Sequence, residues 1–292
     1  MVTARWRRGR ILAASVLLLA GAAVSPEMAS AAGIQLADVT GEIDPALQDR
    51  LDQAAAAYKQ LAAADIATAV AGTDKMVAAL QGNDLQTARQ AWVEVRAAYE
   101  RCKVLTVKFP YLASGIDPKQ SSSVGLRAVA AKLFTPGVPP PLPEAEALSD
   151  KLHTFQRVYA GATVYARGVI AGLGIRARQL TEWTGKGVAW DQVAAGQTSI
   201  NGISVGDLRE ELQGMELAWN TVFAAIVTEK DKGVADRIAH EFADLKALLG
   251  VASFDLMDSR ALEAGFQALA DSVADAVRVI GWRPPRPEGS ED

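Results

Sequence analysis

The sequence predicts an all-α protein built as two runs of helices, which suggests two adjacent bundles. Three observations carry this. Apolar residues step by three and four along several long segments, proline and glycine punctuate those segments rather than interrupt them, and no alternating strand pattern competes anywhere. The 292-residue chain is 50% hydrophobic and 22% charged, enough to bury a large core and unlike a disordered or disulfide-stapled chain.

Helix signals follow one another along the chain. Asp44-Pro45 places a capping carboxylate before a proline at the first helical position and opens a helix running from Ala46 to about Leu80, with Gly72 as a break or kink. Gly82-Asn83 closes it. Asp84 opens the next, to about Lys108, with a seam of Leu85, Ala88, Trp92, Val95, Tyr99 and Cys102. Further helices are expected over Ala145–Ala171, Arg176–Trp190, Lys232–Leu249 and Ser259–Ile280. Another seam follows Asp207 through Leu208, Leu212, Met215, Trp219, Val222 and Ile226. Gly172 and Gly174 read as a helix end, dividing the chain into halves of about 43–174 and 175–282, with an internal duplication left open. Pro110–Ser122, Thr135–Pro143 and Asp191–Ser204 read as non-helical, and 283–292, with three prolines, as a disordered tail.

The N-terminus reads as a secretory signal peptide over 1–31. Arg5, Arg7, Arg8 and Arg10 precede a largely apolar run from Ile11 to Val24, and Ala29-Ser30-Ala31 supplies a small-x-small cleavage site. Fourteen helical residues rise about 21 Å, short of a bilayer core of about 30 Å. Arg7-Arg8 leaves twin-arginine export open beside the general secretory route. Ala22 stands where a lipoprotein box would need cysteine, so the expected product is periplasmic and not lipid-anchored. Cleavage after Ala31 removes four arginines and Glu27, leaving 26 basic and 33 acidic residues, a net charge of −7.

Several chemistries are excluded by residue type. There is no basic excess to meet nucleic acid, and two histidines with one cysteine cannot build a Cys/His zinc site. No G-x-S-x-G, phosphate loop or H-E-x-x-H occurs. Asp236, His240 and Asp244 share one helix face, a solvated stripe before a metal site; His153 reads as a partly buried structural histidine. Glu100 lies within a turn of Arg96 and Lys103, which fits either a boundary ion pair or an inward-facing role.

Ala88-Arg89-Gln90-Ala91-Trp92 through Arg96, Tyr99 and Glu100 resembles the second helix of imelysin-like proteins. That family includes EfeO-type periplasmic iron-uptake components and alginate-binding homologues. Gly115-Ile116-Asp117 resembles its Ile-Asp loop, and Ser204-Val205-Gly206-Asp207-Leu208 with Gln213-Gly214 resembles its Ser/Thr-Asp-Leu segment before an Asn-x-x-Gly helix. The resemblance runs from Ile43 to Trp282, so the imelysin-like helical domain is placed at 32–282; it implies two four-helix bundles.

The family signature is Gly-x-His-x-x-Glu ending in a Leu-aromatic pair. Here Gly125 and Leu133-Phe134 match, but Arg127 stands at the histidine and Ala130 at the glutamate. Arginine has no acceptor and alanine no ligand, so the signature metal pair is lost. What the resemblance then implies is a non-catalytic envelope binding protein linked to iron or other metal acquisition, with Glu100 and Asp117 as retained ligands for a weakly held divalent or trivalent cation, and Asp207 as a more remote candidate. Peptidase activity is implied by the family name alone. Arg127 suits either an anionic small ligand, such as an acidic sugar, or an internal pair with Glu100 or Asp117. The expected partner is a membrane permease or outer-membrane uptake component.

Overall fold

The computed structural model describes residues 39–118, 124–185, 204–251 and 256–284. The signal peptide, most of the Asp191–Ser204 stretch and nearly all of the tail lie outside them. The regular elements among the described residues are all helices, apart from one isolated bridge between Thr40 and Arg283. Eleven helices are described: α1 Pro45–Gln81, α2 Leu85–Arg101, α3 Lys103–Thr106, α4 Pro110–Ile116, α5 Gly125–Leu133, α6 Leu142–Gly161, α7 Ala166–Gly185, α8 Val205–Val222, α9 Ala224–Lys230, α10 Lys232–Leu248 and α11 Ser259–Ile280.

The starts follow from capping chemistry. Leu47 N–H donates to the Asp44 carboxylate at 3.1 Å with Pro45 at the first helical position of α1, and Asp84, Asp231 and Asp258 cap α2, α10 and α11 in the same manner. At α8 the cap is reciprocal: Ser204 Oγ accepts from Asp207 N–H at 3.0 Å, and Asp207 Oδ2 accepts from Ser204 N–H at 2.8 Å.

Two neighbouring helix groups form the core. In one, α1 packs along α2 and α6; in the other, α7 packs along α11, which packs on α10. Helix α8 joins them, lying against α2 and α1 while also touching α7 and α10. Trp92, Trp219, Phe155, Phe242 and Phe266 are buried along the seams. The Trp92 ring meets Phe134 edge-on with centroids 5.3 Å apart, and its indole N–H donates to Leu126 O at 3.1 Å, pinning α5 to α2.

Three expectations are corrected. Gly172 and Gly174 do not end a helix: α7 runs through both, and the chain breaks earlier, between α6 and α7 at Ala162–Tyr165. The division expected near residue 174 therefore falls inside a continuous helix. Pro110 opens the short helix α4 instead of a loop, because proline at the first helical position sacrifices no hydrogen bond. Gly72 neither breaks nor ends α1; it is buried where Val95 of α2 presses closest.

Small residues allow the helix axes to approach around α2 and α3. A Cβ on Gly172 would lie 2.2 Å from Val104 O, and one on Gly214 would lie 2.1 Å from Arg101 O. Both contacts are to backbone, which cannot swing aside. Gly214→Ala is therefore expected to destabilise by about 1–3 kcal/mol or more through overpacking. Gly161→Ala, where a Cβ meets nothing within 4 Å, should stay within about 0.5 kcal/mol. Urea denaturation of the two variants beside the parent chain measures the difference.

Candidate functional site

Where the second helix, the Ile-Asp loop, the altered signature and the Ser-x-x-Asp cap meet, the structure holds a buried cluster of charge. Helix α2 projects Arg96 and Glu100 one turn apart toward α8, and α3 adds Lys103. The end of α4 presents Asp117 and α5 presents Arg127. From the other group come Arg176 of α7 with Asp207 and Glu211 of α8. Four cationic side chains thus face four carboxylic ones, and Arg96, Glu100, Lys103, Arg176, Asp207 and Glu211 are all buried.

Gly125 positions the α5 contribution. Its φ is +69°, the left-handed region, and a Cβ there would lie 2.1 Å from Ile116 O. Glycine is thus required for the start of α5 to rest on the end of α4. That contact sets Arg127 beside Asp117, with Nε donating to Oδ1 at 3.3 Å.

Arg96 is the hub. Its Nε lies 2.9 Å from Glu100 Oε1 and 3.2 Å from Asp207 Oδ1, while Nη1 lies 3.1 Å from Asp117 Oδ1. Lys103 is the second centre: its ammonium is 2.6 Å from Glu100 Oε2, 3.1 Å from Asp117 Oδ2 and 3.9 Å from Glu211 Oε2. Arg176 Nε donates to Glu211 Oε1 at 2.5 Å. Asp207 divides its oxygens, one on Arg96 and the other on the Ser204 cap, so the start of α8 is tied to α2.

The electrostatics follow burial and neighbours. Burial lifts the Glu100 carboxyl; Arg96 and Lys103 pull it down and Asp207 and Glu211 push it up, leaving it raised to about 8. Burial opposes ionisation of Asp117 too, but Arg96, Lys103 and Arg127 outweigh it and hold that carboxyl well below the usual range. Burial works against the Arg96 charge, yet Asp117, Asp207 and Glu100 push its pKa well above the ordinary value, and Arg176 is raised in the same sense by Glu211. Burial also lifts the Tyr99 phenol, which sits within reach of these charges.

The predicted residues converge. Glu100, Asp117, Arg127 and Asp207 all belong to this cluster, and Glu100 points fully inward rather than lying at a boundary. Of the two openings for Arg127, the structure displays an internal pair, with Asp117. Between Glu100 and Asp117, the proposed cation ligands, stands the ammonium of Lys103. With that ammonium in contact with both carboxylates, the donor set does not fit a metal ion, which would have to displace it; among the described residues no group of three or more His, Cys, Asp or Glu is arranged to hold one. Arg176 and Glu211 were missed. Their available signal was a charge on the core face of a helix: Glu211 sits between Leu208 and Leu212 in the predicted seam.

The histidines lie elsewhere. Side chains of Asp236, His240 and Asp244 are 62%, 79% and 63% exposed, a solvated stripe. His153, expected to be partly buried and structural, is instead 49% exposed and pairs with Asp74 at 3.1 Å. The Cys102 thiol is buried and donates to Ala98 O at 3.2 Å.

Two outcomes test the cluster. Arg96→Met removes the hub and strands carboxylates in the interior, so a loss of about 3–5 kcal/mol is expected in chemical denaturation. The pH dependence isolates Glu100. In the folded protein it holds a proton that the unfolded chain, titrating near 4.5, has lost. The stability contributed by this group therefore falls as pH rises from about 4.5 to about 8. Asp117 runs the other way, its contribution complete above the ordinary aspartate value of 3.8 and lost as pH drops below it. Between pH 4.5 and 8 the stability of the parent chain relative to Glu100→Gln should decline; a rising difference in a urea series would contradict the assignment.

With this geometry in view, comparison with known proteins is specific. The protein-family model described as Imelysin matches residues 54–171. That stretch contains Arg96, Glu100, Lys103, Asp117 and Arg127, whereas Arg176, Asp207 and Glu211 lie beyond it. No curated protein matches the sequence. The chain is thus imelysin-like over residues 54–171.

Proposed function

We propose that this chain is an exported, non-catalytic imelysin-like binding protein of the cell envelope. In this reading it serves iron or other metal acquisition as an adaptor for a membrane uptake partner, not by ligating metal in its buried cluster. The observation that carries the reading is the Lys103 ammonium, in contact with both Glu100 and Asp117, together with Arg127 paired to Asp117 at the signature histidine position. A metal ion entering there would have to displace an ammonium and approach two guanidinium groups, an unfavourable exchange in a desolvated site.

The rest of the chemistry supports a binding role. The single thiol is buried and raised by that burial, the wrong direction for a nucleophile. Both histidines are on the surface, away from the cluster. The arginine-rich apolar N-terminus with its Ala29-Ser30-Ala31 triplet supports export.

Calorimetric titration of the metal-stripped protein with iron, copper and zinc, beside metal analysis of the protein as purified, tests the proposal. The expected result is no stoichiometric binding at micromolar affinity or tighter. Stoichiometric binding abolished by Glu100→Ala would overturn it, returning Glu100 and Asp117 to the ligand role with Lys103 displaced.

A further inference from the structure

Away from the cluster, an open furrow of about 630 Å³ runs between α1 and α6. Lys59, Ala63 and Ile66 of α1 and His153, Gln156 and Arg157 of α6 line it. No carboxylate does, on a chain whose acidic residues outnumber its basic ones by 34 to 30. The Lys59 ammonium is anchored at the end of α6, 2.9 Å from Ala160 O and 2.7 Å from Ala162 O, and lies over the Tyr159 ring. Arg157 donates through Nη2 to Thr154 Oγ1 at 3.2 Å, and no carboxylate pairs with it among the described residues.

The wall beside the furrow is unusual for a surface. From Gln53 to Ala71 every exposed position of α1 is alanine, glutamine, threonine or leucine, with Leu61 45% exposed. Exposed helix faces ordinarily carry charge, as α10 does here. Ala56, Ala57, Ala64, Ala67 and Ala71 project one carbon each, so another backbone can come close.

We propose that this furrow docks an acidic amphipathic helix of a partner protein. Its apolar seam would lie over Ala63 and Ile66, and its carboxylates would meet Lys59 and Arg157. A helix is the fitting occupant because two packed helices present ridges and a groove that a third helix matches, whereas no sheet edge is available here to receive an extended strand. The lining from Lys59 to Ile66 spans about 10 Å of helix rise, two turns, and the uncharged face extends that track to about 22 Å. Charge complementarity selects the sign: Lys59 and Arg157 stand in the furrow with no carboxylate in its lining. The inference deepens the adaptor reading above by naming its contact surface.

The test is fluorescence anisotropy with the purified protein and two labelled probe helices of about 20 residues. One carries an alanine-leucine seam flanked by glutamates; the other has lysine in place of every glutamate. Saturable binding of the glutamate probe, weakened at least tenfold by Arg157→Glu and by raised salt, is expected, with no binding of the lysine probe. Gln60→Trp, which fills the furrow mouth from an exposed position, should also abolish it. Lys59→Glu would add to the effect, but Lys59 caps α6, so Arg157→Glu and Gln60→Trp carry the decision once their helical spectra match the parent. Equal binding of both probes, binding indifferent to these variants, or no binding of the glutamate probe overturns the docking surface. Metal titration reads the functional proposal separately: a protein that binds iron at Glu100 and also binds the glutamate probe keeps the furrow and loses the functional reading.

Discussion

The guanidinium of Arg96 is the constraint on which the interior depends. It reaches the carboxylates of Glu100, Asp117 and Asp207, and so joins α2 to the end of α4 and the start of α8. A lone arginine at 4% exposure would carry a desolvation penalty of several kcal/mol. Asp117 and Asp207 offset it, with the proton-bearing Glu100 alongside, and each acid group has a further polar partner: Lys103 for Glu100, Lys103 and Arg127 for Asp117, and the Ser204 backbone N–H for Asp207. The cluster is consequently all-or-none, because every member's burial is tolerable only while its neighbours stay in place.

Close backbone approach is the geometric counterpart of that electrostatic demand. Charged groups this short of solvent must meet at hydrogen-bond distance, and the helices that carry them have to come near. Gly214 against Arg101, Gly172 against Val104 and Gly125 against Ile116 remove the side chains that would hold them apart. The two helix groups are thereby locked through α8 and α7, by polar contacts inside a core whose other members are mostly aliphatic and aromatic residues. Polar locking of this kind contributes specificity of register more than it contributes net stability.

The altered signature makes sense in this setting. The retained glycine serves the backbone contact between α5 and α4, a need independent of any metal. Arg127 is long enough to reach Asp117 and brings a charge of its own, so α5 contributes a cation to the cluster. Ala130, at the sixth position, is buried at 2% exposure in the core.

Helix identity was legible from the sequence because it rests on local physics. Asp44-Pro45, Asp84, Ser204 with Asp207, Asp231 and Asp258 are capping groups whose effect is exerted within three residues, and the three-four stepping of apolar side chains declares which face is buried. Glu100, Asp117, Arg127 and Asp207 could be picked out singly by residue type and motif. Their convergence could not: Arg96 and Asp207 are 111 positions apart, and only the packing of α2 on α8 brings them together. Arg176 and Glu211 stayed hidden for the same reason, since a charge on an apolar seam gives no hint of its partner. The glycines at 172 and 174 misled because a glycine ends a helix or admits a neighbouring backbone according to what packs on it. Local interactions determined where the helices form; the long-range pairing of buried charges, which no short segment contains, decided what their interior does.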